Sequence, residues 1–425
     1  MIDLKLLREH PETVKKAVVD KRAKVDVDAV IKLDAERRRL SMEIEEIQRQ
    51  RNEAAKAKDV ERGRAVKADL AKKEEQLKAV ETELAPLALL LPNIPSEDTP
   101  VGPDESGNVT VRTVGKPTEF AFAPKDHVAL GEALGIIDID RASEVAGTRF
   151  AYLIGDLVLL QYALVRFAFS VLTDKVALEK IIAEKKLAVP PTPFVPVVPP
   201  LMIRPEVMQR MARLEPRDER YHIPSDDVYL IGSAEHTLGP LHMDQTLKEA
   251  DLPRRYFAFT PAFRREAGSY GKDTRGILRV HQFDKIEMES FSLPENSRAE
   301  QDFFVAIQEH LMSSLGIPYR VVQVCTGDMG GPDARQIDIE AWMPGQGRYR
   351  ETHTADLMTD YQARRLNTRF RRTSGGNEFA HMNDATVLAI GRVLIAIMEN
   401  YQQADGTIRI PEILVPHMDG KKVIS

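Results

Sequence analysis

The 425-residue chain holds one cysteine, Cys325. No disulfide can close within it and no zinc site is expected, which fits a reducing compartment. Positive charge is not in excess either: 59 Lys and Arg stand against 65 Asp and Glu, a formal net charge of -6. Nucleic-acid binding by bulk charge is thereby excluded, and any RNA contact must use a local basic surface. The opening Met1-Ile2-Asp3-Leu4-Lys5 lacks the apolar core of a signal peptide, and no stretch reads as long and apolar enough to span a bilayer. A cytoplasmic protein without a membrane segment is expected. Also missing is a glycine pattern that follows a strand and opens a helix. Gly268, Gly271 and Gly276 do not fit one, so dinucleotide-binding and P-loop folds are rejected.

What is present suits a globular protein: 43% apolar and 29% charged residues, in a chain too long for one ordinary core. From about Asp28 to Ala57 there is neither Pro nor Gly, and Leu33, Leu40, Ile44, Ile47 and Arg51 follow heptad spacing. After a polar break near Asp59 to Gly63, Val66, Leu70, Lys73, Leu77, Val80, Leu84 and Leu87 repeat at four- and three-residue steps. Two helices of similar length predict an antiparallel hairpin projecting as an arm. Its basic residues, Arg37, Arg38, Arg39, Arg49, Arg51, Arg62 and Arg64 among them, make either a solvated coiled-coil face or a surface for an RNA backbone.

The hairpin ends between Pro86 and Leu91-Pro92, and a Pro- and Gly-containing linker runs to about Lys116. Residues 1–105 and 106–425 are the expected domains. In the second, Asp126 to Leu134 and the very apolar Asp156 to Asp174 read as helices. The proline-edged Val197 to Ile203 reads as a strand at a sheet edge or interface. Runs at Val228–Ile231, Tyr256–Phe259, Phe283–Glu289, Tyr319–Val324 and Gln336–Ala341 predict an antiparallel sheet. The fold class is therefore α+β, a helical hairpin followed by an antiparallel sheet flanked by helices.

The densest polar constellation is Phe263-Arg264-Arg265-Glu266-Ala267-Gly268-Ser269-Tyr270-Gly271-Lys272-Asp273-Thr274-Arg275-Gly276, returning through Arg279-Val280-His281-Gln282-Phe283. Clustered cations and an aromatic suit a polyphosphate with a stacked base, or a charged surface hairpin. Ala385 to Met398 reads as one helix, apolar on nearly every side, with Arg392 in its middle. Such a guanidinium must meet a core carboxylate or a bound phosphate. Glu235, Glu287 and Glu351 have no obvious partner in sequence; each is either a surface residue or a ligand for Mg2+ or a substrate ammonium.

These residues resemble the seryl-tRNA synthetase family almost end to end. Phe263 to Gly276 with His281-Gln282-Phe283 is similar to class II motif 2. Gly391-Arg392 followed by Glu399-Asn400-Tyr401-Gln402-Gln403-Ala404-Asp405-Gly406 is similar to motif 3, and Pro199-Pro200 to the motif 1 strand of a dimer interface. The resemblance implies serine activation with ATP, transfer to tRNA(Ser) with tRNA(Sec) left open, and a homodimer. It implies that the hairpin clasps the variable arm of the tRNA. Arg264 would hold the α-phosphate and the serine carboxylate, Arg392 the γ-phosphate, and Glu266 and Phe283 the adenine. Arg265, Val280, Thr352, His353 and Thr354 complete the implied ATP set, and Glu351 would bind Mg2+ with ATP. Arg264, Glu351 and Arg392 are the implied catalytic residues. Serine would lie among Ser233, Ala234, Glu235, Arg264, Glu287 and Thr386, with Glu235 on its ammonium and Glu287 and Thr386 on its hydroxyl.

The sequence departs from the family pattern in four places. The usual Thr-Ala-Glu is Ser233-Ala234-Glu235, and the usual Arg-Ser-Glu is Arg264-Arg265-Glu266. Ser-Ser-Cys-Ser-Asn is Thr352-His353-Thr354-Ala355-Asp356, and Asn-Gly-Ser-Gly is Asp384-Ala385-Thr386-Val387. A divergent paralogue that forms an adenylate without charging tRNA is the alternative reading; the intact hairpin argues for charging. Class I signatures are absent.

Overall fold

The computed structural model describes residues 1–267 and 275–425. They form two compact units, Met1–Pro95 with Gly330–Pro332, and Ser96–Met329 with Asp333–Ser425.

In the first unit, helices Leu4–Glu9 and Pro11–Asp20 precede the two arm helices, α1 (Val27–Ala57) and α2 (Val60–Leu90), which pack on each other as a hairpin. Asp26 accepts the Ala29 amide at 3.1 Å and Asp59 that of Arg62 at 3.0 Å, so each helix starts with a side-chain cap on its orphan donors. The break between them is shorter than its composition suggested. Because Asp59 is a cap, Glu61, Arg62 and Gly63 form the first turn of α2, and only Lys58, left-handed at φ 57°, and Asp59 lie outside the helices. Leu40, Ile44, Ile47, Leu70 and Leu84 are buried in the seam. The heptad pattern lapses at Arg51, which is exposed, and at Lys73, whose ammonium reaches Glu43 at 2.7 Å. The base of the arm holds a carboxylate that spacing alone could not place: Asp34 is 1% exposed and meets Arg8 and Arg37, each at 2.8 Å. Burial pushes its carboxyl up, but hydrogen bonds from Arg37 and Arg8 outweigh that and hold it below its ordinary value.

The second unit is built on an eight-stranded sheet of β1 (Val109–Val114), β2 (Val195–Pro196), β3 (Arg254–Phe263), β4 (Gln282–Ser292), β5 (Tyr319–Gln323), β6 (Arg335–Met343), β7 (Arg348–Thr359) and β8 (His381–Ala389). The spatial order is β1-β5-β6-β7-β8-β4-β3-β2. Every neighbouring pair is antiparallel except β2 on β3. β2 lies at the edge, next to Val198, which is 96% exposed.

Three helices supply much of the main core: α3 (Asp156–Thr173), α4 (Ser297–Ser314) and α5 (Ile390–Tyr401). α3 is long and apolar enough to cross a membrane by length and composition, which corrects the expectation that no stretch is. One face of it packs inward instead, with Leu157, Leu160, Leu164 and Leu172 in the main core, while Leu159 and Tyr162 stay exposed. α4 packs against β7 and β8, and its buried glutamines are bonded to strand carbonyls. Gln301 Nε2 donates to Arg335 and Ala355, and Gln308 Nε2 donates to Thr354 and Thr386, the last two at 2.8 Å each.

The expectation of one helix from Ala385 to Met398 is corrected. Ala385 to Ala389 belong to β8, and α5 begins only at Ile390. A strand covered on both faces is as continuously apolar as a buried helix, and periodicity cannot separate them. Arg392 therefore stands in the first turn of α5, and Thr386 is a strand residue.

Candidate active site

β4 carries one working face. Its pairing with β3 is regular from Gln282 opposite Phe263 to Phe291 opposite Arg254, so Phe283, Lys285, Glu287 and Glu289 alternate onto the same side. β8 skips Val387 in its register with β4, and this bulge sets Thr386 opposite Glu287 and Asp384 opposite Glu289. Arg264 leaves the end of β3, its amide donating to His281 O at 2.9 Å.

These elements, with β7 and the start of α5, wall a pocket of about 670 Å³ including its open mouth. Of the residues expected from sequence, Arg264, Glu266, Val280, Phe283, Glu351, Thr352, Thr354, Thr386 and Arg392 line it. Arg279 and Lys285, which belong to the clustered cations of the sequence but to none of the implied residue roles, line it too. Arg264 Nε donates to Gly232 O at 3.0 Å and its guanidinium lies 5.3 Å from the Phe283 ring centroid. Arg279 pairs with Glu266. Arg392 meets Glu351 Oε1 at 3.0 Å and its carbonyl at 2.9 Å. Burial works to raise the Glu351 carboxyl, but Arg392, Arg264, Lys285 and Arg279 outweigh it and keep the acid below its ordinary value. The pocket thus combines four cations, an aromatic face and hydroxyls, an arrangement suited to a polyphosphate joined to a flat base.

Two residues of the implied ATP set stand away from those walls. Arg265 packs its guanidinium 5.7 Å from the Tyr221 ring centroid. His353, between the two wall threonines on β7, is buried with Nδ1 2.8 Å from Thr352 Oγ1, and burial pushes its imidazole down to about 3. The motif 2 positions Gly268, Ser269, Tyr270, Gly271, Lys272, Asp273 and Thr274 lie outside the described residues. Just after them, Gly276 takes φ 82°, and a Cβ there would stand 2.0 Å from His127 Nε2. That nitrogen accepts the Ile277 amide at 3.3 Å, so the ring proton sits on Nδ1, facing Glu399 at 3.3 Å.

Beside the pocket lies a buried carboxylate group. Glu287 Oε1 accepts from Ser233 at 3.0 Å and from Thr386 at 3.1 Å, and Lys285 pairs with the same oxygen. Glu287 Oε2 has no partner among the described residues. Ser233 Oγ also stands 3.2 Å from Glu235 Oε2, and Ala234 is buried between them. Burial raises the Glu287 carboxyl, Lys285 opposing and Glu235 adding to it. Glu235 is held low, because Arg213, Lys285, His236 and Arg264 together outweigh its burial.

Arg213 was not legible as a site residue. Nothing in its sequence neighbourhood marks it, whereas Lys285 stands in the cationic cluster and on the period-two stripe of β4.

Residues 1–95 match the model of the seryl-tRNA synthetase N-terminal domain, and residues 220–401 that of the class II tRNA synthetase core domain (G, H, P, S and T). A serine–tRNA ligase of Rubrobacter xylanophilus is 40% identical over 438 residues, covering 100% of this chain and 99% of that one. A crystal structure of seryl-tRNA synthetase from Pyrococcus horikoshii complexed with ATP matches with TM-score 0.89 and 37% identity over 100% of this chain and 99% of the other. A cytoplasmic serine–tRNA ligase from Naegleria fowleri in complex with AMP matches with TM-score 0.88 and 32% identity, with the same coverage of both chains. With likeness of this extent in sequence and in fold, the chain belongs to the seryl-tRNA synthetase family.

Proposed function

We propose that the protein is a serine–tRNA ligase that condenses L-serine with ATP and passes the seryl group to tRNA(Ser). The observation that carries this is the junction of a cationic, Phe283-floored pocket with the Ser233–Glu287–Thr386 cluster. In the first step a serine carboxylate oxygen attacks the α-phosphorus and pyrophosphate leaves. In the second a ribose hydroxyl at the tRNA end attacks the adenylate carbonyl and AMP leaves. Neither step needs a protein nucleophile, so positioning and charge stabilisation suffice.

Arg264, its Nε tied to Gly232, would present its other nitrogens to the α-phosphate and the serine carboxylate. Arg392 would take the γ-phosphate, Phe283 the adenine face and Glu266 its edge. Glu235 would meet the serine ammonium. Glu287 Oε2, buried without a partner among the described residues, would accept the serine hydroxyl; a ligand lacking that hydroxyl leaves it unsatisfied, which disfavours alanine. Glu351 is half-exposed beside the wall hydroxyls of Thr352 and Thr354. This suits Mg2+, which is bound through one or two carboxylates plus substrate phosphates while keeping several waters. When bound, the ion would neutralise charge on the polyphosphate.

The arm of α1 and α2 would grip tRNA(Ser), tRNA(Sec) being a further candidate. A homodimer through Val197 to Ile203 and a cytoplasmic location complete the reading. The test is amino-acid-dependent pyrophosphate exchange with all twenty amino acids, then charging of total tRNA. Exchange and charging with serine alone support the proposal. Exchange without charging identifies an adenylate-forming paralogue, and no exchange rejects the enzyme reading.

A further inference from the structure

Directly beneath the proposed serine site, three acids lie abreast on adjacent strands. Glu289 of β4 stands opposite Asp384 of β8, and Asp384 opposite Asp356 of β7. All three are buried, and both carboxylate oxygens of Glu289 lack a partner among the described residues. Two of them, Asp356 and Asp384, occupy places where the family pattern has asparagine, so two separate departures in sequence meet at one point in space.

One guanidinium faces this row. Arg213 Nη2 donates to Asp384 Oδ2 at 3.2 Å and stands 4.0 Å from Asp333 Oδ1, while its Nε lies 3.2 Å from Glu235 Oε1. Its main-chain carbonyl accepts from Arg220 Nε at 3.0 Å, which anchors the residue. Glu235 is thereby flanked at both oxygens, Oε1 by the Arg213 guanidinium as an ion pair and Oε2 by the Ser233 hydroxyl, whose one proton it shares with Glu287. A guanidinium so close would by itself weaken the attraction of Glu235 for a second cation. The part of its charge that the row keeps offsets it, Asp384 being the acid that accepts from the guanidinium.

We infer that Arg213 is a positioning residue that orients Glu235 toward the substrate ammonium, with Asp384 and its row as the required counter-charge. The inference rests on the serine-site reading above. Burial, then the neighbouring acids, push Glu289, Asp384 and Asp356 well up, so the row holds protons and carries only part of its formal charge. That leaves a group able to balance one guanidinium without repelling itself apart.

The test is steady-state pyrophosphate exchange on the full-length protein, with KM measured separately for serine and ATP. Arg213→Gln is expected to raise the serine KM about tenfold, since removing one partner of a buried ion pair is costly, and to leave the ATP KM within about twofold. Adding Asp384→Asn, which removes the orphaned charge, is expected to recover most of the loss. Arg213→Lys keeps the charge without the fork and guards against misfolding of the first variant; it is expected to show the same one-sided rise. An unchanged serine KM in both single variants overturns the inference, as does an equal rise for serine and ATP or a double variant no better than the single one. If the unsubstituted protein shows no serine-dependent exchange, the serine-site reading fails and takes this one with it.

Discussion

Arg392 and Glu351 face each other at 3.0 Å across the pocket mouth, a pair that an incoming polyphosphate must split. Arg392→Ala should therefore raise the ATP KM by at least about tenfold, since a charge-assisted contact is lost, with little effect on serine. ATP-titrated exchange reads this, and an unmoved ATP KM removes Arg392 from the phosphate site. The acid row makes a second prediction. The folded carboxyls of Glu289, Asp384 and Asp356 are raised above their ordinary values. As pH climbs past the ordinary carboxylate range, the unfolded chain sheds these protons while the folded chain keeps more of them, so stability falls with rising pH. Glu289→Gln should melt progressively higher than the parent between about pH 5 and pH 8, by on the order of 1 kcal/mol or more per unit of raised pKa relieved. A constant difference across that range shows that Glu289 is not holding a proton. At this scale the sequence disclosed the pocket well where chemistry is concentrated, as at Arg264, Glu266, Phe283 and Arg392. It misled where neighbours alternate: His353 lies between Thr352 and Thr354, yet successive strand residues point to opposite faces. Arg213 escaped because its partners are distant in sequence.

At the scale of elements, the arm helices were legible from heptad spacing and the absence of Pro and Gly. The β8–α5 segment was not, because its apolar run is buried in both states and loses the periodicity that separates strand from helix. β7 went unread for a related reason, its polar threonines and histidine masking a strand. Two element-level variants test the layout. Ile44→Asp places a charge in the α1–α2 seam, where Ile44, Ile47 and Leu70 cluster, at a cost of several kcal/mol. Exchange should stay within about twofold of the parent while tRNA charging drops at least about tenfold; equal loss of both would detach the arm from tRNA binding. Gln308→Leu leaves the Thr354 and Thr386 carbonyls without their α4 donor. A loss of about 2 kcal/mol or more in denaturant unfolding is expected, at about 1–3 kcal/mol per unsatisfied buried group.

For the whole molecule, the exposed edge at β2 is the feature to explain. Val195 on β2, with Val198 and Met202 just beyond it, leaves apolar surface in the open within one short stretch, and apolar surface gathered at a sheet edge is what a second chain would cover. Sedimentation should find two chains per particle, and Val198→Glu should shift the particle toward a single chain. A parent protein that sediments as one chain at micromolar concentration rejects the dimer. The passage from β8 to α5 has a consequence of its own. Strand and helix join with no loop between Ala389 and Ile390, so Thr386 and Arg392 are spaced by covalent geometry rather than by packing. The junction works as a caliper: it sets the span between the Thr386 hydroxyl and the Arg392 guanidinium, the two ends of the proposed ligand cleft. One residue inserted there would turn Arg392 by roughly 100° about the helix axis, ruining the gauge although the sequence would still contain every residue that forms it.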